Sequence, residues 1–192
     1  MKYFKKLVGD KIYLSPRNIE DAELYVKWMN DFDVTDFTGR TSQIMDIEGE
    51  KEYLSSASKK TNNFSFAIVK QENDELIGSA GFDKLDYINR VGTVGIMIGE
   101  QENREKGYGT ETINLLLDFG FNYLNLNNIN LYVMEFNPRA IACYKKCGFK
   151  EMGRRRKTVF LNGKYYDKLY MDILKEEFDE KGKTYIRNKN IK

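Results

Sequence analysis

Residues Val91 to Ile98 form the segment that most restricts the fold of this chain. They are mostly Val, Ile, Met and Gly, without polar alternation, a pattern typical of a strand buried on both faces of a sheet. The chain then turns at Gly107-Tyr108-Gly109. An amphipathic helix is predicted next, because apolar or small residues recur at helical spacing: Ile113, Leu116, Leu117, Gly120, Phe121 and Leu124. Helices must therefore cover this buried strand.

The remaining segments complete a mixed order of strands and helices. Further strands are predicted at residues 11–14, 64–70, 76–85 and 131–136, with a final pair around the turn at Asn162-Gly163. Further helices are predicted at 22–29, 46–59 and 137–148, and the stretch 31–41 is predicted to be polar turns. This order indicates an α/β fold with a mixed sheet of about seven strands and helices on its faces.

Composition narrows the class of protein. The 192 residues suit a single domain, with a core at about 11–174 and a peripheral basic tail at about 179–192. A net charge of +2 is too small to argue for a nucleic-acid partner. The absence of histidine excludes a histidine base, triad or zinc site. Two cysteines, Cys143 and Cys147, are expected to be reduced. Without an apolar leader or span, the sequence predicts a cytoplasmic protein with no membrane partner.

The turn after the buried strand is the first candidate site, and it reads Arg104-Glu105-Lys106-Gly107-Tyr108-Gly109. A helix N-terminus offers unpaired N–H groups and the positive end of the helix dipole, which favour phosphate. Glycine lets the backbone approach such an anion closely. No Gly-Lys-Ser/Thr follows, and Thr112 occupies the third glycine position of a dinucleotide fingerprint. A phosphate site and a plain tight turn therefore both remain open from these residues.

The second candidate site is a helix that begins at Asn137-Pro138-Arg139-Ala140 and ends at Tyr144-Lys145-Lys146-Cys147-Gly148-Phe149. Asparagine is a favoured N-cap, and proline is tolerated in the first turn, where its missing N–H has no partner to lose. Glycine is favoured just beyond a helix C-terminus. Taken alone, the motif is explained by a capped helix with a tyrosine in the core.

Together, the two motifs resemble the GNAT superfamily of N-acetyltransferases. Its signature Gln/Arg-x-x-Gly-x-Gly/Ala is met by Arg104, Gly107 and Gly109. Its helix pattern Asn-x-x-Ala-x-x-x-Tyr-x-x-x-Gly-Phe is met by Asn137, Ala140, Tyr144, Gly148 and Phe149. The resemblance covers about residues 11–174. It implies a mostly antiparallel sheet that splays between its fourth and fifth strands, with acetyl-CoA as co-substrate and no metal.

The resemblance also implies roles for individual residues. Coenzyme A would lie in the splay, and Tyr144 would protonate its thiolate as a general acid. The implied cofactor-binding residues are Ile96, Met97, Ile98, Arg104, Glu105, Lys106, Gly107, Tyr108, Gly109, Thr110, Asn137, Ala140, Tyr144 and Lys146. The implied acceptor pocket contains Trp28, Phe32 and Asp33, although core packing explains Trp28 equally well.

Two residues depart from the family pattern. Glu105 occupies a common glycine position, and Thr93 stands where relatives often carry a glutamate base. Glu135 is the substitute base predicted here, with a solvated strand-end carboxylate as the plainer explanation. Water is the alternative route for the proton.

The acceptor is predicted from the C-terminal segment, where the residues at 162–165, Asp167 and Met171 resemble the ribosomal-protein alanine acetyltransferase branch. That resemblance implies the N-terminal amine of a protein, such as a ribosomal protein, as the acceptor. A small amine, either a polyamine or an aminoglycoside, is the alternative, since spermidine acetyltransferases share part of the segment. A non-catalytic module that binds coenzyme A, or an RNA-associated protein using the basic run 154–157, is a third class. A monomer or homodimer is expected.

Overall fold

The computed structural model describes residues 1–59 and 64–186 and contains an eight-stranded sheet. Its strands are β1 (Leu7–Val8), β2 (Ile12–Pro16), β3 (Ser65–Lys70), β4 (Leu76–Asp86), β5 (Val91–Ile98), β6 (Asn128–Met134), β7 (Lys150–Leu161) and β8 (Lys164–Leu174). The helices are α1 (Ala22–Met29), α2 (Phe32–Thr35), α3 (Ile47–Ser58), α4 (Tyr108–Asn122), α5 (Pro138–Cys147) and α6 (Lys175–Asp179). The order across the sheet is β1-β2-β3-β4-β5-β6-β8-β7.

Strands β5 and β6 are the parallel pair in this otherwise antiparallel sheet, and they are joined over a short distance. Pairing runs from Val91 opposite Asn128 to Thr93 opposite Asn130. Beyond Thr93, no pairing between these two described strands is found, so the sheet opens. Backbone N–H and C=O groups of β5 that face this opening have no hydrogen-bond partner on β6. Buried backbone groups need a hydrogen-bond partner, so these groups are available to a ligand. The splay predicted between the fourth and fifth main strands is thus confirmed.

Helices cover both faces of the sheet, and the sheet separates the hydrophobic core into two clusters. One cluster joins Leu116 of α4 to Val94 of β5. The other joins Trp28 of α1 and Leu54 of α3, with Met97 of β5 packed against it. Successive side chains of a strand point to opposite faces, so β5 contributes to both clusters. The mixed α/β architecture with helices on both faces is confirmed.

The helices beside the splay begin where the sequence motifs predict them. Helix α4 follows Gly107, whose φ of 88° lies in the left-handed region that glycine enters at little cost. Helix α5 follows Asn137, whose side-chain oxygen accepts a hydrogen bond from the Ala140 N–H at 3.1 Å. Pro138 occupies the first helical turn, and Gly148 ends the helix with a φ of 99°.

Several element boundaries differ from those predicted. The short strand β1 adds an eighth strand to the sheet, and α2 lies within the stretch predicted to be turns. Strand β6 begins at Asn128 and ends at Met134, so Glu135 and Phe136 lie in a turn. The Asn137 N–H closes this turn by donating to the Met134 carbonyl at 2.9 Å, and the Glu135 N–H donates to the Asp167 carbonyl of β8 at 3.1 Å.

The C-terminal segment is bound to the core rather than peripheral. After α6, the backbone N–H groups of Tyr185 and Ile186 donate to Oδ2 of Asp118 in α4, at 2.6 and 2.9 Å. Ile186 is only 5% exposed and Asp118 1%. The expectation of a peripheral tail is therefore wrong for the part up to residue 186, because a buried carboxylate and apolar contacts hold it. Residues 187–192 of the predicted tail lie outside the described residues.

Candidate active site

A cavity of about 720 Å³ opens at the splay between β5 and β6 and reaches both faces of the sheet. On the face covered by α4 and α5, it is lined by Gly107, Gly109, Thr110, Ala140, Cys143, Tyr144 and Lys146. On the face covered by α1 and α3, it is lined by Arg17, Tyr25, Met29, Glu50, Tyr53 and Asp83. Residues 94–98 of β5 form the wall between the two halves.

The half beside α4 has the space and the donors of a phosphate site. The nearest atom to a Cβ built on Gly107 is Lys11 Nζ at 3.7 Å, and on Gly109 it is Cys143 Sγ at 3.8 Å. The first turn of α4 offers unpaired N–H groups and the positive end of the helix dipole. Lys146 lines the same wall and adds a positive charge. These residues fit the pyrophosphate of a coenzyme A molecule.

The residues of the glycine turn do not all face the cavity. Arg104 lines it, but its guanidinium donates to the carbonyl oxygens of Asp33 and Gly99, each at 3.1 Å. Arg104 therefore fastens the turn to the segment around α2. Lys106 and Tyr108 are not part of the cavity wall within the described residues. The predicted cofactor residues that do line it are Ile96, Met97, Ile98, Arg104, Glu105, Gly107, Gly109, Thr110, Asn137, Ala140, Tyr144 and Lys146.

Tyr144 projects from α5 into the cavity wall, and the residue is 8% exposed. Burial raises the pKa of its hydroxyl, and the neighbouring Cys143 and Cys147 raise it further. The hydroxyl therefore keeps its proton at neutral pH, which is the form that a general acid requires. This position fits the role predicted for Tyr144, which stays a prediction.

Two free thiols lie beside Tyr144 on α5. Cys143 Sγ is 3.4 Å from Thr110 Oγ1, and Cys147 Sγ is 3.6 Å from the Thr110 carbonyl oxygen. A hydrogen bond from Cys147 lowers the pKa of Cys143 to about 7, although burial opposes the shift. Cys143 also lines the cavity, on the wall beside α4 and α5.

Glu135, the predicted base, is not brought into the cavity. Its Oε1 accepts a hydrogen bond from the Asp167 N–H at 2.7 Å, and its Oε2 lies 3.6 Å from Arg154. Both partners belong to the β7–β8 pair, because the turn after β6 directs the side chain there. Thr93 hydrogen-bonds Asn130 Oδ1 at 2.9 Å, across the last paired position of β5 and β6. Neither Glu135 nor Thr93 lines the cavity wall among the described residues.

The residues predicted for the acceptor pocket also lie outside the cavity. Trp28 is 1% exposed, and its indole N–H donates to Glu100 Oε1 at 3.0 Å, so it belongs to the core. Phe32 is 66% exposed, and Asp33 is exposed beside it. The same region contributes other side chains to the cavity, which are Met29, Val34, Phe37, Thr38 and Arg40.

Sequence reasoning missed the polar residues on the half of the cavity beside α1 and α3. Arg17 and Glu50 form an ion pair at 2.8 Å, and the Arg17 guanidinium lies 4.0 Å from the centre of the Tyr25 ring. Burial raises the pKa of Glu50, while Arg17 opposes the shift. Asp83 lies at an irregularity of β4 and lines the same half. The one signal for Asp83 is the polar pair Asp83-Lys84, which breaks the apolar pattern of its strand.

Two kinds of feature are absent from the part of the chain that the structure describes. No group of three or more Cys, Asp or Glu side chains is arranged to hold a metal ion within residues 1–59 and 64–186. In the same ranges, no helix is both long enough and apolar enough to cross a bilayer.

The splayed sheet, the glycine turn before α4 and the capped helix α5 together define an acetyltransferase fold. A sequence model of the acetyltransferase (GNAT) domain matches residues 11–150, which is more than half of the chain. The chain therefore belongs to the GNAT family of acetyltransferases.

Two named relatives of the chain are N-acetyltransferases. The spermidine N(1)-acetyltransferase of Vibrio cholerae is 36% identical over 111 residues, which cover 58% of this chain and 64% of that protein, slightly less than two thirds. The probable N-acetyltransferase YjcK of Bacillus subtilis is 28% identical over 181 residues, covering 91% of this chain and 99% of that protein.

A solved structure supports the same relationship. The Vibrio cholerae spermidine N-acetyltransferase in complex with CoA and spermine superimposes with a TM-score of 0.80 at 26% identity, covering 88% of this chain and 98% of that one. These comparisons do not confirm the predicted ribosomal-protein branch.

Proposed function

We propose that this protein transfers the acetyl group of acetyl-CoA to a small amine of the polyamine class. The observation that carries the proposal is the cavity through the splay, with the glycine turn and Tyr144 on one face of the sheet and a polar pocket on the other. Two substrates entering from opposite faces would meet at residues 94–98 of β5. The relationship to spermidine acetyltransferases supports the acceptor class.

The chemistry of transfer follows from the groups at the splay. Backbone N–H groups of β5 beyond Thr93 that point toward β6, where the β5–β6 pairing has ended, would polarise the thioester carbonyl like an oxyanion hole. Tyr144, protonated at neutral pH, would give its proton to the departing thiolate. The amine must lose its own proton before it attacks. Because Glu135 is bonded to β8, we assign that step to water.

The half of the cavity beside α1 and α3, which we assign to the acceptor and call the acceptor half, suits a flexible cation. Met29, Val34 and Phe37 supply apolar walls for a methylene chain. The charge of Arg17 is compensated by Glu50 at 2.8 Å, which leaves the Asp83 carboxylate available for an ammonium group. A polyamine offers both features, since methylene segments separate its ammonium groups.

An acceptor screen tests this proposal. Free thiol release from acetyl-CoA would be measured with spermidine, spermine, a simple diamine, an aminoglycoside and a peptide beginning with alanine. We expect the polyamines to give a kcat/KM at least tenfold above that of the peptide. A peptide preferred over every polyamine would overturn the proposed acceptor class.

A binding measurement separates cofactor failure from acceptor failure. Acetyl-CoA should raise the melting temperature, because a ligand that binds only the native state stabilises that state by mass action. A protein that shows this shift but acetylates no polyamine would keep the coenzyme A site and lose the acceptor assignment.

A further inference from the structure

We propose that Asp83 determines acceptor specificity by binding the ammonium group of the incoming amine beside the thioester. The inference rests on the proposed function, because it names the residue that would recognise a cationic acceptor. Four observations carry it: the backbone irregularity at Asp83, its position over Gly95, the face of the sheet on which it lies, and the charges around it.

The first observation is a β-bulge in β4. Phe82 pairs with Val94 and Lys84 pairs with Thr93, so Asp83 between them has no partner on β5. A bulge adds one residue to a strand and re-aims a side chain, and bulges recur next to active sites. The extra residue here is the acidic one, and it lines the cavity.

The second observation is the short distance between Asp83 and Gly95. Asp83 Oδ2 lies 3.1 Å and Oδ1 3.9 Å from the point where a Cβ would stand on Gly95. Because Gly95 has no side chain, the carboxylate can lie over β5 at this position. Gly95 directly precedes residues 96–98, which are among the residues implied to bind coenzyme A. The carboxylate is therefore beside the expected position of the reacting thioester.

The third observation is the face of the sheet. Gly95 and Met97 are two residues apart on β5 and therefore share a face. Met97 packs against the cluster formed with α1 and α3, whereas Ile96 packs against the cluster formed with α4. Asp83 thus lies on the side of the sheet opposite the glycine turn. An amine bound there would approach the thioester from the face that the cofactor elements leave open.

The fourth observation is charge. Within the described residues, the Asp83 carboxylate has no hydrogen bond or ion pair, whereas Glu50 on the same half is paired with Arg17 at 2.8 Å. Asp83 is exposed at the cavity wall, so water and a soluble cation both reach it. An unpaired carboxylate near a pocket is attractive to an ammonium group, and salt weakens this attraction.

The test compares Asp83→Asn with a matched control, Asp86→Asn. Asp86 is an exposed acid on the same strand, but its carboxylate bonds the turn residues Ile88 and Asn89 and does not line the cavity. Steady-state kinetics would be measured with spermidine at several salt concentrations.

We expect Asp83→Asn to raise the KM for spermidine roughly tenfold to a hundredfold, with a smaller change in kcat and a weaker dependence on salt. The KM for acetyl-CoA should not change. Asp83→Glu should restore part of the affinity, and Asp86→Asn should behave as wild type.

The outcomes of the test are separable. An unchanged spermidine KM in Asp83→Asn, with an unchanged melting temperature, overturns the inference. An equal rise of the spermidine KM in Asp86→Asn also overturns the inference, because the effect would then come from the change in net charge. If the wild type acetylates a different amine, the proposed acceptor class fails, and the inference is judged on the KM of that amine. The inference stands if Asp83→Asn raises that KM and falls if it does not.

Discussion

At the scale of single residues, the reactive groups of the site are concentrated on one turn of α5. Tyr144 is buried and keeps its proton, whereas the pKa of the Cys143 thiol beside it is lowered to about 7. Opposite shifts on adjacent residues arise because the tyrosine receives no stabilising donor, whereas the thiolate receives hydrogen bonds from Cys147 and Thr110. The two residues can therefore be tested separately, Tyr144 by the turnover of a variant and Cys143 by the pH dependence of its alkylation.

Replacing Tyr144 with phenylalanine should lower kcat about 10²–10⁴-fold, because the substitution removes only the hydroxyl proposed as general acid. The binding of coenzyme A, measured by calorimetry, should change little. Single-turnover measurements are needed so that chemistry limits the rate. A variant with wild-type turnover under those conditions would remove Tyr144 from this role.

Cys143 should be alkylated by iodoacetamide with a rate that rises through a midpoint at pH about 7. Below that pH the thiol is protonated and slow, and above it the thiolate predominates. Cys147→Ala should move the midpoint upward, because the hydrogen bond that lowers the pKa is lost. Coenzyme A should protect Cys143, since this residue lines the cavity. Mass spectrometry of the labelled peptide reads both effects, and a wild-type midpoint near 9 would contradict the assignment.

At the scale of elements, the turn before α4 combines backbone conformation with open space. Gly107 has a φ of 88°, and the space around its Cβ position is free to within 3.7 Å. A side chain there would be strained and would also enter the path of the phosphate. The conformational part of this effect has a matched control elsewhere in the chain, at Gly163 between β7 and β8. That residue has a φ of 76°, with no atom within 4 Å of its Cβ position.

Gly107→Val should weaken the binding of coenzyme A at least tenfold, because it combines backbone strain with obstruction of the phosphate site. Gly163→Val imposes comparable strain in the hairpin turn, but it should leave coenzyme A affinity unchanged. Isothermal calorimetry on both variants, with melting temperatures recorded, distinguishes the two effects. Equal losses of affinity in both would show that strain alone accounts for the result.

At the scale of the whole molecule, the C-terminal segment is tied to α4 through one buried carboxylate. Asp118 accepts hydrogen bonds from the backbone of Tyr185 and Ile186 and from the side chain of Asn122. Phe178 of α6 packs against Phe121 of α4, with ring centroids 5.2 Å apart. The segment up to Ile186 therefore supports the helix whose first turn belongs to the proposed cofactor site.

Asp118→Ala should destabilise the protein by about 2–4 kcal/mol, because it leaves buried donors without an acceptor. For a chain of this size the melting temperature should fall by roughly 4–16 °C. Asp179→Ala is the control, since its carboxylate pairs with Lys175 on the surface of α6 and should contribute no more than about 0.5 kcal/mol. Thermal unfolding followed by circular dichroism provides the comparison. Equal melting temperatures in the two variants would contradict the structural role of Asp118.

The splay was implied by the family resemblance that the two motifs carry. The printed sequence was sufficient to predict the α/β class and the two motifs themselves. These features follow from short-range rules: apolar periodicity marks the buried strand β5 and helix α4, glycine enters the left-handed region at Gly107, and Asn137 caps α5. Each of these signals depends on a few neighbouring residues. They are therefore visible in the printed sequence.

Contacts between distant parts of the chain determine which side chains line the acceptor half of the cavity. Glu135 and Trp28 have plausible positions in the chain, but a turn directs the first to β8 and core packing buries the second. Asp83 lines the cavity because the register of β4 shifts against β5, and Gly95 leaves room for it. Register between strands depends on pairing across the sheet, so periodicity along one strand cannot reveal it.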